Sequence, residues 1–118
     1  MSAPISQFEL VAKALEAAAL RHQVISNNIA NVNTPGYQAL EVSFEEQLSR
    51  AMMLELETLD QLSPEVRRAE GLAMRNDGNN VDIDREIGKL GKNSVTYQTL
   101  VQVLASQMGM LRSAISGR

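Results

Sequence analysis

The chain of 118 residues contains no cysteine and no tryptophan. Without cysteine it has neither a disulfide framework nor a thiolate metal site. Its aromatic residues are two tyrosines and two phenylalanines, too few for the aromatic-rich strands of a typical β-sandwich. We therefore expect helices built from leucine, isoleucine, valine and alanine.

Long apolar runs and clustered basic residues are also missing. No stretch reaches the roughly 18 apolar residues of a membrane span, and no basic segment precedes an apolar core at the N-terminus. We therefore expect neither a membrane helix nor a cleaved secretory signal. The net charge is −3, with basic and acidic residues interspersed, so no nucleic-acid partner is predicted.

The N-terminal third has a heptad pattern that predicts a helix over residues 7–31. Ser6 and Glu9 form a capping box at its start, and Pro35-Gly36 stops it. The apolar seam positions alternate in steps of three and four and include Phe8, Val11, Leu15, Ile25 and Ile29.

The C-terminal third continues the same spacing and predicts a helix over residues 82–116. Asp82 is a good N-cap, and the acidic residues after it suit the positive end of the helix dipole. Its predicted seam comprises Ile87, Leu90, Tyr97, Val101, Leu104, Met108, Leu111 and Ile115.

Between these helices the pattern is weaker. We expect a turn or extended segment over 32–42, a short helix over 43–59 that starts with the capping box of Ser43 and Glu46, and an irregular, mobile middle over 60–81. Turn chemistry falls at Asn33, Thr34, Pro35, Gly36, Asp77 and Gly78.

The predicted fold class is all-α. Residues 1–118 form one elongated unit in which the long terminal helices pair as an antiparallel helical hairpin or coiled coil. A compact three-helix bundle is the alternative. A two-helix hairpin buries only one seam, so the pattern favours packing against copies or relatives.

Catalytic and metal-binding patterns are weak. His22 is the single histidine and lies on the predicted seam without a second ligand nearby. "NDGNN" fails the calcium-loop spacing, and no glycine-rich phosphate loop follows a strand. We predict no enzyme, no metal, no cofactor and no small-molecule substrate.

Four asparagines fall between residues 27 and 33, on a helix that would otherwise avoid them. Asn33 suits the turn. Asn27 and Asn31 lie off the seam, so we assign them, with the flanking Asn28 and with Tyr37, to packing against another subunit. Gly88 and Gly91 have two explanations, an exposed face that tolerates glycine or the close approach of a neighbouring helix.

The stretch "NNIANVNTPGY" (residues 27–37), together with "DGNNVDIDREI" (residues 77–87) and the segment 97–117, resembles the flagellar axial family of rod, hook and hook-associated proteins, and within it the proximal rod proteins. The resemblance implies a structural subunit of the basal-body rod that assembles helically through its terminal helices and transmits torque. It implies a periplasmic location reached by flagellar type III export without a cleaved signal. Implied partners are copies of the chain, other rod proteins, the membrane-ring adaptor and the export gate.

Phe44 and Leu48 match the Phe-x-x-x-hydrophobic pattern that the same family presents to the export gate. They are equally an apolar i, i+4 pair on one helix face. Two other functions stay open: a small helical binding or adaptor module that keeps the flagellar-type hairpin, and a sister rod protein.

Overall fold

The computed structural model describes residues 7–53 and 62–117. The elements run α1 (Gln7–Ala30), β1 (Leu40–Ser43), α2 (Glu45–Met53), β2 (Glu65–Arg68) and α3 (Ile83–Ser116). Helices α1 and α3 pack against each other in an elongated molecule of 63 × 31 × 15 Å. They are antiparallel, because Asn28 of α1 bonds Glu86 while the earlier Ala18 bonds the later Asn93. The predicted all-α class with paired terminal helices is confirmed.

Helix α3 is capped at both ends. The Asp82 carboxylate accepts a hydrogen bond from the Arg85 N–H, and Gly117 adopts a left-handed φ of 71° that lets its N–H reach the Ser113 carbonyl. Over 34 residues the helix measures about 51 Å. Its bounds lie within a residue of the predicted range. Among the described residues, no helix combines the length and apolarity needed to cross a membrane.

Two turns close the same end of the hairpin. Tyr37 N–H bonds the Thr34 carbonyl around Pro35 and Gly36, whose φ is +77°, which makes a type II turn. In the second turn Gly78 N–H bonds the Arg75 carbonyl at 2.9 Å. Gly36 N–H then bonds the Asp77 carbonyl at 2.8 Å, so the two turns are joined. A small core of Ala39, Ala69 and Val81 lies beside them.

The middle of the chain contains a strand pair that the sequence analysis did not predict. β1 and β2 are antiparallel, with Glu41 opposite Arg67 and Ser43 opposite Glu65. Arg67 Nε bonds Glu41 Oε1 at 3.0 Å across the ladder. β2 lies within the range 60–81 that was predicted to be irregular, because the charged sequence "EVRR" gives little strand signal by itself.

Helix α2 begins later than predicted. Ser43 belongs to β1 instead of capping the helix, and the first helical bond runs from Leu48 N–H to the Phe44 carbonyl. The predicted capping box at Ser43 is therefore wrong, since the ladder with β2 extends that residue. Residues 54–59 of the predicted helix lie outside the described residues.

The contact between the long helices is rotated from the predicted seam. On α1, Val11, Ala18 and Ile25 are buried as expected, but Leu15 and Ile29 are only half-buried, while Asn28 is completely buried. On α3 the buried residues are Glu86 and Asn93, with Leu90, Leu100 and Leu104 half-buried. Several predicted seam residues of α3 are instead exposed: Ile87, Tyr97, Val101, Met108, Leu111 and Ile115. The apolar arc of α3 is wider than one partner helix covers.

Candidate assembly interface

Asn28 is bonded within its own chain. Its side chain is 0% exposed, and Nδ2 donates to the Leu40 carbonyl at 2.8 Å and to Glu86 Oε2 at 3.0 Å. Its Oδ1 accepts from the Leu40 N–H and from the Tyr37 hydroxyl, both at 3.0 Å. These bonds use both donors and both lone pairs of the amide. Asn28 is therefore unable to face another subunit, contrary to the sequence-based assignment.

The other asparagines of the first motif divide between surface and turn. Asn31 Nδ2 donates to the Asn27 carbonyl at 2.8 Å, and Asn31 Oδ1 accepts from the Thr34 hydroxyl at 3.0 Å. These bonds finish the last turn of α1 and lead into the Pro-Gly turn. Asn27 and Asn33 are exposed, so of the three asparagines assigned to packing (Asn27, Asn28 and Asn31) only Asn27 has an exposed side chain.

The second motif supplies matching amides. Asn79 Nδ2 donates to the Asn31 carbonyl at 2.9 Å and to the Thr34 carbonyl at 2.8 Å. Asn80 Oδ1 accepts from the Ala39 N–H at 2.6 Å. The sequence predicts only a turn at this segment, so these roles of Asn79 and Asn80 were not predicted. The sequence signal for this pairing is a pair of asparagine-rich motifs, one at the C-terminal end of α1 and the other just before the start of α3.

Glu86 carries a buried carboxylate into this network. Its side chain is 1% exposed and is held by the Asn28 amide and by Lys89 Nζ at 3.7 Å. Tyr37 is half-buried beside it. Burial raises the pKa of the Tyr37 phenol, and the negative charge of Glu86 raises it further. The network therefore holds a neutral phenol, an amide and a carboxylate in one place.

Arg21 fixes the position of α2 beside α1. Its guanidinium donates to both Glu45 carboxylate oxygens and to the Val42 carbonyl. The hydrogen bond from Arg21 lowers the pKa of Glu45. A groove of about 480 Å³ lies here between α1, β1 and α3, with Lys89, Lys92 and Thr96 on the α3 side.

The remaining candidates give a mixed result. His22 is exposed and lies with Tyr97 in a separate shallow groove. Within residues 7–53 and 62–117, no cluster of three histidine or acidic side chains could hold a metal ion. Phe44 is 3% exposed and Leu48 is half-buried, so the folded chain covers the aromatic part of the export pattern.

Helix α3 carries a row of exposed apolar residues that the α1–α3 hairpin leaves uncovered. Ile87, Val101, Met108 and Ile115 recur at intervals of seven or fourteen residues, and each is more than 40% exposed. Residues at multiples of seven share one helix face. These four residues are called the apolar stripe below. Apolar rows of this kind on a protein surface commonly mark a site where another molecule binds.

No contact within the described part of the chain requires glycine at positions 88 and 91 of α3. A Cβ atom built on Gly88 or Gly91 would meet nothing within 4 Å. Glycine weakens a helix interior by about 1 kcal/mol relative to alanine. The space around both residues is compatible with a neighbouring helix that approaches closely.

Comparison with known proteins points in one direction. A family model described as "Flagella basal body rod protein" matches residues 11–38. The flagellar basal body rod protein FlgB of Bacillus subtilis (strain 168) is 30% identical over 118 residues, covering 88% of both chains. FlgB of Escherichia coli (strain K12) is 32% identical, covering 89% of this chain and 90% of its own. FlgB of Borreliella burgdorferi is 32% identical over 77% of this chain and 82% of its own. These relatives are named as rod proteins and not as enzymes.

Proposed function

Because this chain belongs to the FlgB family of flagellar basal body rod proteins, we propose that it is a structural rod subunit that assembles helically through its long terminal helices. The observation that carries the proposal is the apolar stripe on α3, which the intramolecular hairpin leaves exposed. Covering this stripe removes apolar surface from water, and that is the usual driving force of subunit association.

The geometry favours a contact that propagates. The apolar stripe lies on one flank of α3, whereas the groove beside Lys89, Lys92 and Thr96 lies on another. When a subunit offers different surfaces to its two neighbours, the contact is heterologous and the assembly grows as a ring or a helix. A helical rod is the form expected of this family, and its role is to transmit torque in motility.

Family membership supports a proposal about partners and location. We propose copies of the chain, other rod proteins, the membrane-ring adaptor and the type III export gate as partners, in the periplasmic rod. Asn27, Gly88 and Gly91 are further candidates for subunit contacts, because Asn27 is exposed and a Cβ atom on either glycine would meet nothing within 4 Å. The Phe44–Leu48 pair supports export only if the gate reads an unfolded chain, since the fold buries Phe44.

The experiment pairs a stripe variant with a matched control. Val101→Glu with Met108→Glu places two carboxylates on the apolar stripe. Gln102→Glu with Ser106→Glu places the same charges on exposed positions one or two residues away, off the stripe. Both pairs of sites are exposed, so both variants should keep the helical circular dichroism of the unmodified chain.

The readout is complementation of a gene deletion in the flagellated host. Electron microscopy of isolated basal bodies should show membrane rings without a rod in the deletion strain and in the stripe variant, and intact rods with the control. Rods and motility restored by the stripe variant would show that the stripe is not an interface. Rods present in the deletion strain itself would favour a binding or adaptor module.

A further inference from the structure

Two buried polar contacts join α1 to α3 at different heights of the hairpin. Near the closed end, Asn28 Nδ2 bonds Glu86 Oε2 at 3.0 Å. One heptad further along α3, Asn93 Nδ2 donates to the Ala18 carbonyl at 2.8 Å. Glu86 is 1% and Asn93 is 6% exposed, so both contacts are buried. Both contacts run directly from one long helix to the other.

The apolar residues of this contact do not select one alignment. On α1 they include the small residues Ala14, Ala17 and Ala18, and on α3 leucines recur at 90, 100 and 104 among the half-buried positions. If α3 slid along α1 by one heptad, apolar side chains would again face apolar side chains. A heptad repeat specifies which face is buried far better than it specifies height along the axis.

The polar contacts do discriminate between alignments. A slide of one heptad would separate Glu86 from the Asn28 amide and Asn93 from the Ala18 carbonyl. A buried carboxylate without its donor is strongly disfavoured, and so is an unpaired buried amide. Only the observed alignment satisfies both levels together.

We propose that Glu86 and Asn93 are positioning residues that lock the register of the α1–α3 hairpin. The lock fixes how far the C-terminal part of α3, with Met108 and Ile115 of the apolar stripe, extends relative to α1. In its last step this inference rests on the proposed function, because the height of the stripe decides where a neighbouring subunit meets it. The lock itself is a property of the isolated chain.

Leucine substitutions separate a register lock from a simple stabilising contact. Glu86→Leu with Asn93→Leu fills both seam positions with apolar side chains. The added apolar burial offsets much of the cost of leaving one Asn28 donor without its acceptor. The variant should therefore stay helical, with a melting temperature within a few degrees of that of the parent. Glu86→Gln is the matched control, because its amide oxygen still accepts from Asn28 without the charge.

Register is measured by spin-label distances. The chain has no cysteine, so Ser26→Cys and Gln102→Cys introduce two exposed labelling sites without competition. The two sites are about 25 Å apart along the axis, and a slide of one heptad changes that separation by about 10 Å. Double electron–electron resonance should give one narrow distribution for the parent and for Glu86→Gln. The double leucine variant should add a second population displaced by up to about 10 Å.

Each result decides the matter. One unchanged distribution in the double leucine variant would mean that apolar packing and the connecting segment set the register, and the proposal would be overturned. Loss of helicity in that variant would also overturn it, since the contacts would then be stabilising elements. A shifted register with normal rods would overturn only the step to assembly. That outcome is distinct from failure of the proposed function, which the stripe variant tests by itself.

Discussion

Replacing Gly88 and Gly91 by alanine should stabilise the isolated chain and impair its assembly. Each glycine lies inside α3, has an ordinary helical backbone, and would place a new Cβ atom where nothing lies within 4 Å. Alanine removes backbone freedom from the unfolded chain without a steric conflict in the folded chain. The gain should be about 1 kcal/mol per site and about 2 kcal/mol for the pair.

The expected magnitude is measurable. For a domain slightly above 100 residues, 1 kcal/mol raises the melting temperature by about 4 °C, so the pair should add about 8 °C. Thermal unfolding followed by circular dichroism at 222 nm measures this shift. Gly109→Ala is the control, because it is also in α3 with open space around its Cβ position and was not assigned to subunit packing.

Assembly should respond in the opposite direction. If a neighbouring helix approaches α3 at Gly88 and Gly91, two added methyl groups hold it away, and complementation of motility falls although the protein is more stable. Gly109→Ala should gain the single-site amount of about 1 kcal/mol, half that of the pair, and remain motile. A lower melting temperature for the pair would refute the argument from open space. Full motility of the stabilised pair would refute the packing role and leave tolerated weakness as the explanation.

Three further outcomes are expected. Gly71→Ala should lower the free energy of unfolding in urea by about 1 kcal/mol, and Gly78→Ala should lower it by clearly more. Both glycines have positive φ, but only at Gly78 would the Cβ lie 3.3 Å from the Gly36 backbone. Equal losses would contradict the joined turns. The Arg21 hydrogen bond lowers the pKa of Glu45. The stability that the ionised Glu45 adds to the folded chain is therefore complete above about pH 4.3 and is lost as pH falls through the lowered folded-state pKa. The stability difference between the parent and Glu45→Gln should vanish in acid, and a difference that grew there would have the wrong sign. Phe44→Leu should keep the chain folded, whereas Phe44→Ala should lower the free energy of unfolding by about 3–5 kcal/mol at this buried site. Secretion assays should show reduced export of the leucine variant if the gate requires the aromatic ring. Unchanged export would remove Phe44 from the export pattern.

The helices were predictable because their signals are local. Asp82 caps α3 through a residue three positions away, and Pro35-Gly36 stops the chain from continuing α1. Such signals act over one or two turns and can be read from a short window. The pairing of the long helices followed from their shared heptad spacing.

The features that were missed depend on distant parts of the chain. Asn28 is bonded to Leu40 and Glu86, 12 and 58 residues away, so its sequence neighbours predicted an exposed role. β2 is a strand only because β1 lies beside it. The predicted seam of α3 lies about one position from the buried residues on alternate turns. Apolar residues cover a wide arc of α3, and periodicity alone does not say which edge of that arc contacts α1.

The distance along the chain between hairpin partners also bears on when the molecule can fold. Asn93 is 75 residues from Ala18, and every α1–α3 contact is of this long-range kind. Non-local contacts of this type form late, after the intervening chain has been supplied. In any process that delivers the chain from its N-terminus, whether synthesis or passage through a narrow channel, α1 arrives long before the helix that covers it. The α1–α3 hairpin then becomes available only on completion, so arrival of the last third of the chain times the conversion from a threadable polypeptide to a subunit with a defined surface.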